Sequence, residues 1–335
     1  SHPDGSAYGV GAQSGDVAFL FPGQGSQYLQ MGGALAMAFD VAREPWDRAA
    51  NHAFGAHQRI DQVVFPTPKF TPEDRTANED RLRATEWAQP AIGTTSLSYL
   101  SLMNALGIRA QALAGHSFGE ITALHAAGVL TEVDLLRVAR RRGELMAAAS
   151  EQPGAMTAIS ADIDQVRALL TALCRTDVVI ANHNAPTQVV LSGTLSGIEA
   201  AETQMQTEAV RFKRLDVATA FHSPVVASSK TPFDAFLSDV VFSAANLPVW
   251  SGESAAPYEA EAQAKRNRLA QQIAKPVHFV DLIKGLSDTG IRTFVEVGPG
   301  SVLTALVDTL SLPDHRAIAL DRRGKDGMVS LSQGI

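Results

Sequence analysis

A serine flanked by glycines constrains the fold of this chain more than any other feature. The short apolar run at 110–114 predicts a buried strand, and the small-residue segment at 121–130 predicts a helix. The sequence GHSFGE at 115–120 joins the two. The pattern G-x-S-x-G at a sharp strand-to-helix turn is typical of a nucleophile elbow, which projects the serine oxygen into solvent. We therefore interpret Ser117 as a nucleophile in an α/β fold; the alternative is an ordinary serine in a glycine-flanked turn.

A serine nucleophile needs a general base, and histidine suits this role because its pKa lies near neutrality. Among the nine histidines, His222 has the most favourable setting, since the sequence AFHSP at 220–224 marks a return from one unit of the chain to another. Chain crossings between domains line clefts. The alternative is a buried, hydrogen-bonded histidine. We expect the side chain of His116 to point away from the elbow and His125 to pack in the core.

A third group should orient the imidazole of the base. The aspartates between Ser117 and His222 fall mostly at helix caps or on polar faces, and Asp216 alone is close in sequence to His222. No acidic side chain is convincingly placed for this role. A backbone carbonyl therefore remains an alternative.

An arginine occupies an apolar position of the helix predicted at 131–149. On a helical wheel Arg142 falls at roughly 180°, in the middle of the apolar arc, whereas Arg140 and Arg141 fall outside it. A guanidinium that points into a core is costly unless an anion meets it. Two hypotheses stay open from the geometry alone: a structural salt bridge with an internal carboxylate, or a cation in a cleft that binds a substrate carboxylate through two hydrogen bonds.

The order of predicted elements divides the chain into two units. Residues 153–218 predict the order β-α-β-β-α-β, which is the ferredoxin-like pattern. We expect this small subdomain to be inserted into a larger α/β body, formed by residues 16–152 and 219–335. The segment at 65–77 carries three prolines and several charges, which predicts a surface excursion.

Composition excludes several classes of protein. Apolar residues make up 45% of the 335 residues and charged residues 19%, which supports a core and argues against disorder. The formal net charge of −7 argues against sequence-independent binding of nucleic acid. No apolar stretch approaches a membrane span, so we expect no membrane contact. A single cysteine argues against a disulfide framework and a thiolate-rich metal site, and it favours a cytoplasmic location.

The two ends of the chain carry weak structural signals. Residues 1–15 begin with Ser-His and are rich in glycine, serine and alanine, so we interpret them as a cloning remnant and a flexible linker. They lack the basic and apolar regions of a secretory signal. The final residues, SLSQGI, show no capped element. From both ends we expect a domain cut from a longer chain.

Five short motifs follow one another along the chain. They are FPGQGSQ at 21–27, GHSFGE at 115–120, RG at 142–143, AFHSP at 220–224 and VEVGPG at 295–300. In this order and spacing the chain resembles the malonyl-CoA:acyl carrier protein acyltransferases, which include the acyltransferase domains of polyketide and fatty acid synthases. The resemblance implies an α/β-hydrolase-like body with a parallel central sheet and a ferredoxin-like insertion.

The resemblance also implies roles for particular residues. Ser117 matches the acylated nucleophile and His222 its base. Arg142 matches the arginine that holds the free carboxylate of the malonyl group, which favours the second hypothesis for its burial.

Three further residues match motif positions of the family. The resemblance implies an oxyanion hole formed by the backbone N–H groups of Gln24 and Phe118. It also implies that a main-chain carbonyl orients the histidine, and Gln272, in QIAKPV at 272–277, matches that position.

The implied reaction is a ping-pong transfer through an acyl-serine. The substrate would be malonyl-CoA, and the acceptor would be the phosphopantetheine thiol of an acyl carrier protein. No bound cofactor and no metal are expected. Neighbouring synthase domains in one polypeptide are further expected partners, in polyketide biosynthesis.

Two departures from the family pattern concern selectivity. Domains that select malonyl units usually read HAFH, whereas this chain reads Thr219-Ala220-Phe221 before the histidine. Phe221 should still crowd the methyl group of methylmalonyl, although a hydrophobic pocket distinguishes one methyl group by about 1–3 kcal/mol. Phe118 stands where smaller aliphatic residues are commoner. The sequence at 87–91 and the excursion at 65–77 are more similar to iterative synthases, of the enediyne or polyunsaturated fatty acid type.

Two other classes of function compete with this interpretation. An ordinary α/β serine hydrolase or thioesterase would need a triad acid and would have no use for Arg142. A non-catalytic docking module of a synthase would retain the fold, but it would not need intact Ser117, His222 and Arg142.

Overall fold

The computed structural model describes residues 15–52, 54, 59–149, 154–217 and 219–335. The remaining positions include most of the segment interpreted as a linker, so that prediction lies almost entirely outside the described residues. Two β-sheets and the helices packed on them make up the described structure.

The strands are, in chain order, β1 Asp16–Phe21, β2 Ala112–Gly115, β3 Gly154–Ile159, β4 Val178–Ala185, β5 Gln188–Thr194, β6 Phe212–Arg214, β7 Val249–Ser251, β8 Ala256–Pro257, β9 Ile291–Glu296 and β10 Arg316–Ala319. The helices are α1 Gly33–Ala38, α2 Asp40–Ala50, α3 Ile60–Val64, α4 Pro72–Arg83, α5 Thr85–Ala105, α6 Gly119–Ala126, α7 Glu132–Ala148, α8 Ile163–Leu173, α9 Leu195–Thr207, α10 Lys230–Leu237, α11 Ala262–Gln272, α12 Phe279–Asp288, α13 Val302–Val307 and α14 Gly327–Gly334. A 3₁₀ helix at Pro224–Ser229 precedes α10.

The large sheet has the strand order β10-β9-β1-β2-β7-β8 and is parallel except for the β7–β8 pair. Its central strands are apolar along their length, because helices cover both faces of a parallel sheet. All four residues of β2 are buried, as are the last four of β1. Two apolar clusters form the cores on its faces.

The small sheet is antiparallel and has the order β4-β5-β3-β6. Helices α8 and α9 pack on it around a separate apolar cluster that includes Val166, Leu191 and Ile198. The strand order and the two helices are those of a ferredoxin-like unit, so the predicted fold class is confirmed. The chain limits predicted for the two subdomains stay a prediction.

Helix α4 begins inside the segment that was predicted to be a surface excursion, where no helix was expected. The Thr71 hydroxyl accepts a hydrogen bond from the backbone N–H of Asp74 at 3.2 Å, and Pro72 occupies the first turn. A proline is favourable there because its fixed φ suits the helix and the missing N–H has no partner in the first turn. Pro72 therefore helps to start a helix instead of preventing one.

The C-terminal end also differs from expectation. Helix α14 is capped by Asp326, whose side chain accepts from the backbone N–H groups of Met328 and Val329 at 2.9 and 3.0 Å. The prediction of an uncapped end was wrong. Among the described residues, no helix is long and apolar enough to cross a membrane.

The elbow between β2 and α6 requires glycine at Gly115 and Gly119. A Cβ atom on Gly115 would lie 2.0 Å from the carbonyl carbon of Gly119, and one on Gly119 would lie 2.0 Å from the Phe21 carbonyl oxygen. Backbone therefore packs directly on backbone, and the end of β1 is held against the turn.

We expect Gly115→Ala to lower the free energy of unfolding by at least about 3 kcal/mol, because the new methyl group must displace main chain. Gly107→Ala is the control: Gly107 has a φ of 76° and no neighbour within 4 Å, so it should lose about 1 kcal/mol from backbone strain alone. Urea denaturation measures both. Equal losses would contradict the close packing at the elbow.

Candidate active site

Ser117 lies on the tight turn that the sequence predicted. It follows β2 and precedes α6, and its φ is 53°, a left-handed conformation that non-glycine residues seldom adopt. Its side chain lines a cavity of about 470 Å³ between the large sheet and the antiparallel sheet. The strained backbone fits a serine presented for chemistry.

The His222 imidazole lies within hydrogen-bond distance of the serine. The Ser117 hydroxyl and His222 Nε2 are 2.7 Å apart. On the other side of the ring, Nδ1 lies 2.8 Å from the Lys275 carbonyl oxygen and 3.2 Å from that of Gln272. Carbonyls only accept, so Nδ1 carries the proton and Nε2 is free to accept the proton of the serine.

No acidic side chain of the described residues bonds to this imidazole. Asp216, the aspartate nearest in sequence, has a side chain 87% exposed and lies 3.4 Å from Arg83 at the rim of the cavity. Backbone carbonyls hold the ring instead. The Gln272 carbonyl is one of the two acceptors, and its role in orienting the histidine stays a prediction. The closer Lys275 carbonyl was missed because a main-chain acceptor leaves no residue signature.

The histidine is neutral well below physiological pH. Burial lowers the pKa of His222 to about 3, and the positive charge of Arg142 and the nearby His116 act in the same direction. A buried imidazole next to a cation disfavours its own protonated form. His222 is therefore ready to accept a proton across the whole physiological range.

Arg142 is buried, 1% exposed, in helix α7 at the base of the same cavity. Its Nη2 donates to the side-chain oxygen of Gln272 at 3.0 Å and lies 3.4 Å from the Ser117 hydroxyl. Its Nε has no partner among the described residues. The wheel position predicted this burial. Within the ranges that the structure describes, the guanidinium meets an amide oxygen and forms no salt bridge with a carboxylate, and the choice between the two hypotheses for its role stays a prediction.

The charge of Arg142 persists at neutral pH. Burial lowers its pKa to about 10, and the charge of Glu120 opposes that shift. The site thus combines a neutral base with a fixed cation a few ångströms from the nucleophile.

Two backbone amides predicted to form an oxyanion hole lie beside the elbow. Phe118 immediately precedes α6, where backbone N–H groups are unpaired and the helix dipole is positive. Gly23 packs so closely that a Cβ atom there would lie 2.3 Å from the His116 carbonyl oxygen, which brings the following residue, Gln24, to the cavity wall. Their role as an oxyanion hole stays a prediction.

The predicted selectivity residues fall in two layers. Phe221 lines the cavity directly. Thr219 and Ala220 are fully buried and do not belong to its lining, and the Thr219 hydroxyl has no partner among the described residues. Thr219 and Ala220 therefore do not form the cavity wall themselves.

His116 does not behave as expected. Its ring lines the cavity, and its Nε2 lies 2.8 Å from the side-chain oxygen of Asn184 on β4. The expectation that it points away from the elbow was wrong, because the antiparallel sheet supplies a polar partner on the cavity side. Sequence offers no signal for this contact, which spans 68 residues.

The antiparallel sheet contributes its own polar groups to the cavity. Strand β4 carries two register shifts, between Ile180 and Asn182 and between His183 and Ala185. Such bulges re-aim side chains and are common next to active sites. Asn182 and Asn184 both line the cavity as a result. Within the described part of the chain, no group of three His, Cys, Asp or Glu residues could hold a metal ion.

A serine on an elbow, a histidine within proton-transfer distance and free backbone amides define a site for transfer of acyl groups through a covalent serine intermediate. Comparison with known proteins agrees. The family model described as "Acyl transferase domain" matches residues 18–331. The chain belongs to this family and is an acyltransferase.

Two curated relatives match most of the chain. The malonyl CoA-acyl carrier protein transacylase of Bacillus subtilis (strain 168) is 34% identical over 316 residues, which cover 91% of this chain and 95% of the relative. The polyketide biosynthesis malonyl CoA-acyl carrier protein transacylase BaeC of Bacillus velezensis is 36% identical over 295 residues, covering 87% and 95%.

A solved structure is similar over nearly the whole chain. The acyltransferase domain from the second module of the salinomycin polyketide synthase superposes with a TM-score of 0.85 at 31% identity, covering 96% of this chain and 72% of that one.

Because burial lowers the pKa of His222 to about 3, the imidazole is neutral throughout the range from pH 8 to pH 5. We therefore expect the reactivity of Ser117 to change little over this range. A histidine of ordinary pKa would slow the reaction about 30-fold over this range. The measurement is the rate of labelling by a fluorophosphonate probe, with Ser117→Ala as the background. A midpoint near pH 6.5 would show that His222 is not held neutral.

Proposed function

We propose that the protein transfers a malonyl group from malonyl-CoA, through a malonyl-Ser117 intermediate, to the phosphopantetheine thiol of an acyl carrier protein. The observation that carries this proposal is Arg142. Its buried guanidinium lies 3.4 Å from the Ser117 hydroxyl and pairs with no carboxylate in the described part of the chain, which suits an acyl group that brings its own carboxylate. The names of the two Bacillus relatives support the same substrate and acceptor.

In the first half-reaction the Ser117 oxygen attacks the thioester carbon of malonyl-CoA while Nε2 of His222 takes the hydroxyl proton. The negative charge on the former carbonyl oxygen is stabilised by the backbone N–H groups of Gln24 and Phe118. The C–S bond then breaks, its electron pair stays on sulfur, and His222 returns the proton to the departing CoA thiol.

In the second half-reaction the carrier's thiol gives its proton to His222 and attacks the malonyl-serine carbonyl. The C–O bond to Ser117 breaks, and the serine oxygen recovers its proton from His222. CoA is the leaving group and the thiol arm belongs to the partner, so the protein supplies no cofactor of its own.

Water must compete poorly for the intermediate. Apolar side chains from helix α7 and from the antiparallel sheet and its flank line the cavity, among them Met146, Met156, Val190 and Leu215. This lining disfavours an ordered attacking water at the acyl-serine. It supports transfer over hydrolysis.

Phe221 is proposed to set the choice of acyl group. Its ring forms part of the cavity wall next to His222 and would crowd a methyl group on the carbon between the two malonyl carbonyls. The discrimination is worth about 1–3 kcal/mol, as for other single methyl groups in apolar pockets. Thr219 and Ala220 would act indirectly, since both are buried next to Phe221 in sequence and lie outside the cavity lining.

We also propose the setting in which the enzyme works. Residues 153–218 act as a small subdomain that closes one side of the cavity over a large subdomain of residues 16–152 and 219–335. A cytoplasmic location is supported by the single cysteine, Cys174, which is exposed and unpaired. We further propose that its partners include neighbouring domains of an iterative polyketide or polyunsaturated fatty acid synthase.

Incubation with malonyl-CoA should add one malonyl group to the wild-type protein and none to Ser117→Ala, as measured by intact mass. Addition of an acyl carrier protein with its phosphopantetheine arm should discharge the label faster than buffer alone. Discharge by water at the same rate would favour the hydrolase. No label from any acyl-CoA would favour a non-catalytic docking module.

We expect Arg142→Ala to lower kcat/KM for malonyl-CoA by about 100-fold or more, since a buried charge pair with the substrate is lost. Activity with acetyl-CoA should fall much less, because acetyl has no carboxylate. The matched control is Arg141→Ala, a half-exposed neighbour on α7 that pairs with Glu144 at 3.5 Å. If Arg142→Ala lowered activity with malonyl-CoA and with acetyl-CoA equally, Arg142 would not be the residue that binds the substrate carboxylate.

A further inference from the structure

Two buried side chains of opposite charge lie close to the nucleophile without touching. Arg142 and Glu120 are 1% and 0% exposed. Opposite charges attract strongly in a low-dielectric interior, so two such groups should collapse into a direct pair unless something holds them apart. Glu120 follows Ser117 by three residues and lies in the first turn of helix α6.

The side chain of Gln272 lies between the two charges. Its oxygen accepts from Nη2 of Arg142 at 3.0 Å, and its Nε2 donates to a Glu120 oxygen at 3.2 Å. Nε2 also donates to the Ser117 carbonyl oxygen at 2.6 Å. An amide suits this position because it presents an acceptor to the cation and a donor to the anion.

Glu120 is fixed from its other side as well. The backbone N–H of Gly252 donates to it at 2.9 Å and the Tyr258 hydroxyl at 2.5 Å. Burial raises the pKa of Glu120, while these hydrogen bonds and the charge of Arg142 oppose the shift. The carboxylate thus has neutral hydrogen-bond donors in place of a direct contact with the arginine.

We propose that the side chain of Gln272 is a positioning residue that determines acyl specificity, because it separates Arg142 from Glu120 and leaves the guanidinium free for the carboxylate of the substrate. This inference rests on the proposed function. It assigns the side chain a role distinct from that of the Gln272 backbone carbonyl, which contacts His222.

The two roles can be separated by substitution. Gln272→Met retains the length of the side chain and the backbone carbonyl but has no amide, so Arg142 can turn to Glu120. The ratio of kcat/KM for malonyl-CoA to that for acetyl-CoA should fall at least about 30-fold, the loss expected when a buried charged partner is withdrawn. The pH dependence of Ser117 labelling should stay flat, since His222 keeps its carbonyl contacts. Gln271→Met, on the preceding residue of α11, is the control and should keep the wild-type ratio.

A second pair of variants tests the mechanism itself. Adding Glu120→Gln to Gln272→Met removes the competing anion, so the malonyl-to-acetyl ratio should recover by about 10-fold or more over Gln272→Met alone. A side chain with a merely structural role would instead make the double variant worse. Gln272→Glu, which has the same shape, should also lose the preference for malonyl because its carboxylate pairs with Arg142. Thermal unfolding of each variant establishes that the folded proteins are being compared.

The outcomes distinguish this inference from the proposed function. A wild-type enzyme that prefers malonyl, together with Gln272→Met and Gln272→Glu variants that keep the same ratio, would overturn the inference alone. A double variant with a lower ratio than Gln272→Met would do the same. A wild-type enzyme without any preference for malonyl over acetyl would overturn the proposed function and this inference with it.

Discussion

The site depends on a buried cation, Arg142, that has no ion-pair partner among the residues the structure describes. Removing a guanidinium from water costs several kcal/mol, and proteins usually recover this with a carboxylate. Here Arg142 has an amide oxygen and the serine hydroxyl instead. The packing of α7 holds it there: a Cβ atom on Gly143 would lie 2.5 Å from the Thr85 carbonyl oxygen, so the two helices are in backbone contact next to the arginine. The fold thus holds a buried positive charge that the free carboxylate of a dicarboxylic acyl group can pair with, as the proposed function requires.

The geometry of the base depends on both sheets. Strand β4 is an edge strand of the antiparallel sheet. Its backbone forms hydrogen bonds with Val277, in the segment whose Lys275 carbonyl orients His222. The His183 N–H donates to the Val277 carbonyl at 2.9 Å, and the Val277 N–H donates to the Ala181 carbonyl at 2.8 Å. Lys275, whose carbonyl holds the imidazole, lies two residues earlier. Displacement of the small sheet would therefore move the acceptor of the base as well as the cavity wall.

The sequence predicted those features that short-range rules determine. The elbow needs glycines within two residues of Ser117, and the burial of Arg142 follows from helical periodicity. The same rules were available at Thr71 and Asp326, where caps start helices that were not expected. At Thr71 the prolines concealed the capping pattern, although one of them is favourable in the first turn.

Contacts between distant segments could not be predicted in this way. The His116–Asn184 bond depends on bulges in β4, and bulges shift the register of every later side chain. The Gln272 side chain reaches Arg142 and Glu120 across 130 and 152 residues. The Lys275 carbonyl belongs to the backbone, so the identity of the side chain carries no information about it. These contacts depend on how elements distant in sequence pack together, which no local pattern encodes.

The cation and the base are coupled through their charges. Arg142 is one cause of the lowered pKa of His222. Under the proposed function, the carboxylate of a bound malonyl group would neutralise much of that field, and the imidazole would become a stronger base as the correct substrate arrives. An acetyl group has no carboxylate, so the positive charge of Arg142 would stay unneutralised and His222 would remain a weaker base. One buried charge can thus favour the dicarboxylic substrate twice, by binding it and by tuning the group that removes the serine proton.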